Sequence, residues 1–244
     1  MVKYFTSRAF VTDPKDVWDK ETTIGLAEHA ARLGSLVTYD RRGNVEFFDD
    51  FDDPVPGYDT ACSSGAYIYR TTETSLTGNY SVKCITPSGS AGYVQLLFYH
   101  TNFHIGKIGS QFMFASEDSD YTITLTLLYY SGSKFYLPRI RWSQDTGTLE
   151  CYSGGGYVSL SPTVKYNGSK YNWGAIKLVV DISELKYVRA LFFGHEFDLS
   201  DYTIDEEGSA TTAPHIISRM EFATTSTSSK TGYFDNYILT DNEP

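Results

Sequence analysis

The sequence predicts an all-β chain, a two-layer antiparallel sandwich or barrel, with a short helical N-terminal arm. Three observations predict it. From Val45 onward apolar and polar residues alternate in many short runs. Turn-forming clusters rich in Gly, Asn and Ser separate those runs. Helical spacing of apolar residues is confined to the first 44 positions.

The arm comes first. Asp13 before Pro14, with Asp16 in the first turn, caps a short helix through Val17 and Trp18. Thr22 or Thr23 caps a second helix, whose Ile24, Ala27, Ala30, Ala31 and Leu33 fall on one stripe and which stops at Gly34. So narrow a stripe builds no core of its own, so it must pack on the sandwich or on another chain, with Trp18, Ile24 and Leu33 as interface residues. The expected division is 1–44 for the arm and 45–244 for the sandwich.

The strand runs follow. They include Val45–Phe51, Tyr67–Arg70, Tyr80–Ile85, Tyr93–Tyr99, Gln111–Ala115 and Tyr121–Tyr130. Later come Phe135–Trp142, Ile176–Asp181, Tyr187–Phe193, Ile216–Phe222 and Tyr233–Thr240. In Tyr121–Tyr130, Ile123, Leu125, Leu127 and Tyr129 take one face and Thr122, Thr124 and Thr126 the other. Trp142 and Trp173 read as core.

Composition bounds the function. The 244 residues are 41% hydrophobic and 20% charged, which suits one globular core. A formal charge of -10 argues against a nucleic-acid partner, because a net anion does not replace phosphate counterions. No run of apolar residues is long enough for a membrane span. The N-terminus lacks the apolar stretch of a signal peptide, so cytoplasmic synthesis is expected. Cys62, Cys84 and Cys151 are an odd number without a C-x-x-C pair, so neither a disulfide scaffold nor a zinc site is expected. His100 and His104 are four apart, but in strand and loop rather than on a helix, so they make no zinc pair.

Four segments carry a resemblance: Phe47–Asp53 with its acidic cluster, Thr77–Lys83, Trp173–Asp181, and Tyr233–Thr240 containing Asp235-Asn236. In that order they resemble the concanavalin A-like lectin/glucanase domains, which include laminin G-like and carbohydrate-binding modules. The resemblance implies a two-sheet antiparallel jelly-roll β-sandwich. It also implies a structural calcium held by Asp50, Asp52 and Asp235, since calcium takes several hard oxygens. The alternative for these acids is protection of a sheet edge. Glucanases of this fold carry a Glu-x-Asp-x-x-Glu strand; Glu196-Phe197-Asp198-Leu199-Ser200-Asp201 has the spacing but ends in Asp, and alternation puts Glu196 and Asp198 on a polar outer face. No catalytic residue is assigned, and the chain is expected not to be an enzyme.

Aromatic residues make up 16% of the chain. Tyr129 with Tyr130, and Tyr152 with Tyr157, are candidate carbohydrate-binding platforms; the competing reading is ordinary cover for a half-buried sheet. The leading functional expectation is a non-enzymatic structural or adhesive component of an assembly, a virion protein such as a capsid decoration, minor capsid or tail component. Its partners would be subunits of a particle or copies of itself, along with surface glycans, and its place the virion or the extracellular surface. The alternative is a lectin-like carbohydrate-binding module. A glucanase-type glycoside hydrolase is third.

Overall fold

We describe a computed structural model in which Asp40 and residues 42–244 are defined. The helical arm, with Trp18, Ile24 and Leu33, lies outside the described residues. The sandwich, Arg42–Pro244, is a compact unit by itself. Its strands are β1 (Asn44–Asp49), β2 (Asp59–Cys62), β3 (Tyr67–Thr71), β4 (Ser81–Ile85), β5 (Gly92–His100) and β6 (Lys107–Ser116). Then follow β7 (Thr122–Tyr130), β8 (Lys134–Tyr136), β9 (Arg139–Ser143), β10 (Thr148–Ser153), β11 (Gly156–Ser159) and β12 (Ser169–Asp181). The last are β13 (Lys186–Phe192), β14 (His195–Asp198), β15 (Glu206–Ser209), β16 (His215–Thr224) and β17 (Thr231–Asp241).

Every pairing is antiparallel. The first sheet runs β14-β13-β12-β6-β17-β4-β3, with β1 also on β17; the second runs β11-β10-β9-β7-β16-β5-β2, with β8 on β7 and β15 on β8. Consecutive strands often lie in different sheets, which is the mark of a sandwich wound by crossovers rather than a meander. The core lies between the sheets. Phe112, Phe114, Ile176, Leu178 and Phe234 of the first sheet meet Phe98, Leu125, Trp142, Met220 and Phe222 of the second. Trp142 is fully buried and its indole N–H donates to the Val164 carbonyl at 3.0 Å, so the largest core side chain has its one polar atom satisfied.

Three sequence readings change. Phe135–Trp142 is not one strand: Leu137-Pro138 divides it into β8 and β9, because proline has no N–H for the ladder. Trp173 is half-buried rather than core; it precedes the point where β12 comes into continuous register with β6 at Gly174. In β17 the side-chain alternation switches at a bulge between Asp235 and Ile238, with Asn236 at φ 46°. Both Phe234 and Tyr237 thereby reach the core, which plain alternation forbids.

Candidate functional site

The second sheet turns Val94, Leu96 and Phe98 of β5, Ile123 and Leu125 of β7, Ile140 and Trp142 of β9, and Met220 and Phe222 of β16 inward. The residues between them therefore face out, and several are large and polar. One cross-strand row runs Gln95, Glu221, Thr124, Arg141, Glu150. The next runs Leu97, Arg219, Thr126, Arg139, and Tyr152 and Tyr157 face each other at its β10–β11 end.

Four side chains of the first row are held in two pairs. Gln95 Nε2 donates to Glu221 Oε2 at 2.5 Å, and Arg141 pairs with Glu150 at 2.7 Å. Arg139 lies 3.8 Å over the Tyr152 ring and pairs with Glu207 at 3.3 Å; Arg141 lies 3.7 Å over the Tyr157 ring. Burial pushes the Tyr157 phenol up, against the pull of Arg139 and Arg141, so it is a neutral hydroxyl at physiological pH. Arg219 differs from the other two arginines. Among the described residues it makes no ion pair, and its one hydrogen bond is a long 3.5 Å contact from Nη2 to Thr126 Oγ1. Its Nε, like that of Arg139, is buried with no acceptor. Thr122 and Ser143, the next outward positions beyond Thr124 and Arg141, help line a cleft of about 340 Å³ that also includes Asp120 and Asp145.

The predicted tyrosines separate. Tyr129 turns toward the core, edge-on to Phe103 and stacked on Tyr136, while Tyr130 faces out and stacks on His215 at 4.3 Å. Neighbours on a strand point to opposite faces, so this pair forms no platform. Tyr152 and Tyr157 do meet, ring centres 5.2 Å apart and edge-to-face, but guanidinium groups cover a face of each. They serve the site as supports for arginines.

The acids named for calcium are engaged with backbone N–H groups. Asp52 accepts from Asn79 and Tyr80 at 2.8 and 3.0 Å, and Asp50 from Asp52 at 3.2 Å. Asp235 is fully buried and accepts from Leu76, Thr77 and Asn236. Burial pushes its carboxyl up to about 8, and the nearby Asp50 charge adds to this. Among the described residues no group of three or more His, Cys, Asp or Glu side chains is placed to hold a metal. Asp235 with Asp50 offers two carboxylates; any calcium there would draw its remaining oxygens from carbonyls and water. Glu196 forms an exposed pair with Arg42 at 2.8 Å, and Asp198 caps Ser200 at 2.9 Å, so the glucanase-like spacing lies on a solvated edge strand. His100 meets Tyr237 and His104 lies 4.0 Å from Asp241, so the two histidines are not paired.

Gln95, Arg139, Arg141, Arg219 and Glu221 were not picked out from the sequence. Their signal is there: charged residues at alternate positions in otherwise apolar strands, Arg-Ile-Arg-Trp and Ser-Arg-Met-Glu-Phe. Only the strand order shows that they share one face.

No protein-family model and no curated protein matches the chain. Solved structures do. An endo-β-1,4-glucuronan lyase from the fungus Trichoderma reesei aligns with a TM-score of 0.54 at 14% identity, covering 81% of this chain and 95% of the lyase. The cellulose induced protein Cip1 aligns at 0.53 and 15% identity, covering 81% and 98%. The fold is a concanavalin A-like jelly roll. A xylan-binding domain of Paenibacillus barcinonensis Xyn10C aligns more loosely, at 0.43 and 8% identity over 83% of this chain and 97% of its own. The expectation that the chain is not an enzyme is overturned here. It rested on the absence of a glucanase carboxylate pair, and a lyase with the same fold works on a different chemistry.

Proposed function

We propose that the outer face of the second sheet binds a polysaccharide chain. The observation that carries this is the cross-strand row of planar hydrogen-bonding groups, Gln95, Glu221, Arg141 and Glu150, beside the Tyr152–Tyr157 pair. Sugars present paired hydroxyls and apolar ring faces. Amide, carboxylate and guanidinium groups grip the first in bidentate fashion, and the Tyr152 and Tyr157 rings hold the Arg139 and Arg141 guanidinium groups in place. The face is preorganised, because its charged groups are already held by one another and by the tyrosine rings. This support makes carbohydrate recognition a better reading than the virion component.

The test is calorimetric titration with β-1,4-linked oligosaccharides for the chain and for Glu221→Ala and Arg141→Ala. Each variant is expected to weaken binding about tenfold or more while leaving the melting temperature within a few degrees. Saturable binding that neither variant weakens would refute this face as the site.

A second reading, turnover of the bound chain by β-elimination, is supported by the lyase that shares the fold. It is checked by incubating the protein with glucuronan and following ultraviolet absorbance of an unsaturated uronate. A structural calcium is a separate proposal, resting only on the resemblance of the segments that carry Asp50, Asp52 and Asp235. Calcium against a chelator should then raise the melting temperature of the parent chain and not of Asp235→Asn; no rise in the parent removes the ion.

A further inference from the structure

Resting on that reading, we infer that the bound polysaccharide is acidic, and that Arg219 holds a carboxylate of it. The chain carries a formal charge of -10, yet three arginines converge on one sheet face. Two are neutralised in place, Arg139 by Glu207 and Arg141 by Glu150. Arg219 is not. It stands on β16, flanked by β7 and β5 inside the sheet, and its row neighbours are the uncharged Thr126 and Leu97. A half-buried guanidinium whose Nε lacks an acceptor and whose best bond is 3.5 Å long has given up water for little return. A planar fork of this kind is matched by a carboxylate, which takes two parallel N–H bonds.

The rest of the face argues for a sugar acid rather than a free small anion. Glu221, on the same outward side of β16, is engaged by Gln95, and Glu150 is engaged by Arg141. These acids repel a dense polyanion such as a nucleic acid, but accept hydroxyls of a chain with one carboxylate per residue. The chemistry indicated is a polyuronate, with one carboxylate on Arg219 and hydroxyls along the Gln95–Glu150 row. The hexuronic epimer is not specified by these groups.

Titration with matched pairs of oligosaccharides tests this. Glucuronate, galacturonate and mannuronate oligomers are each compared with the counterpart of equal length whose C6 is an alcohol, at low and at moderate salt. The expected result is at least tenfold tighter binding to one acidic member than to its alcohol counterpart. That preference should shrink with salt, be lost in Arg219→Gln, and be partly kept in Arg219→Lys. Thr126→Val serves as a second probe: it removes the hydroxyl under the guanidinium without touching the charge, and should keep the preference. Equal affinity for acidic and alcohol members would overturn the carboxylate assignment while leaving the glycan face standing. An acid preference that survives in folded Arg219→Gln would overturn the role of Arg219. Binding to no member of any pair would overturn both this inference and the reading it rests on.

Discussion

At the scale of single residues, the half-buried His100 and the buried Asp235 pull stability in opposite directions with pH. The His100 ring accepts or donates at 2.7 Å with the Tyr237 hydroxyl and packs edge-on against Phe47. Burial lowers it to about 4 from 6.5. A depressed histidine contributes stability above its unfolded value, lost as pH falls from 6.5 toward 4, on the order of 3 kcal/mol over that window. Asp235 is the reverse case. Burial raises it from 3.8 to about 8, so its contribution is complete below 3.8 and is lost as pH rises through about 8. Between 4 and 6.5 the two slopes oppose; from 6.5 to 8 only the Asp235 slope remains. Denaturant midpoints across pH 4–8 should show Asp235→Asn escaping the decline above 6.5. His100→Gln should show a decline beginning near pH 4. Parallel curves for parent and Asp235→Asn would discredit the Asp235 assignment. Asp235 was legible as a special residue through its Asp-Asn motif, but its role as an acceptor for the Leu76 and Thr77 amides depends on a loop far away in sequence.

At the scale of elements, close packing at the start of the continuously paired part of β12 fixes how it meets β13. Gly174 is opposite Phe114, and a Cβ added there would run into the Phe193 ring, itself packed against Phe114, Trp142 and Tyr166. Gly174→Ala is expected to cost about 1–3 kcal/mol by overpacking, measured as a shift of the denaturant midpoint at unchanged slope. Most strands were legible from alternation, because a sheet with one buried face imposes period two. Three four-residue strands, β2, β11 and β15, are weaker signals, since they lie at sheet edges and have no buried position to set a period. The split of β8 from β9 was legible in Pro138, and the bulge in β17 was not, because it is set by pairing with β6.

At the scale of the whole molecule, residues at the end of the chain are bound into the first sheet. Glu243 is 4% exposed and pairs with Lys177 at 2.6 Å and with Arg189, while Arg189 also donates to the Pro244 carbonyl at 2.7 Å. Lys177 Nζ donates in turn to the Arg42 carbonyl at 3.3 Å, so the entry to β1 is joined to the same network. Removing one partner of a buried network leaves its cations uncompensated. Glu243→Ala is therefore expected to destabilise the sandwich by about 3–5 kcal/mol, read from urea unfolding, with glycan affinity at the distant second sheet unchanged in the folded fraction. A variant as stable as the parent would show that the network contributes nothing net.

By itself the sequence determined the class of this protein: an acidic, all-β sandwich or barrel with Trp142 in its core. Those properties follow from composition, period and turn chemistry, which are local. The tertiary structure decided which outward residues share a face. Arg139 and Arg141 on β9 lie far in sequence from Arg219 on β16, and they share a face because β7 pairs with both strands. It also placed guanidinium groups over Tyr152 and Tyr157. A binding face on a sheet is a property of strand order and register, and those are fixed by long-range pairing rather than by any local run of residues.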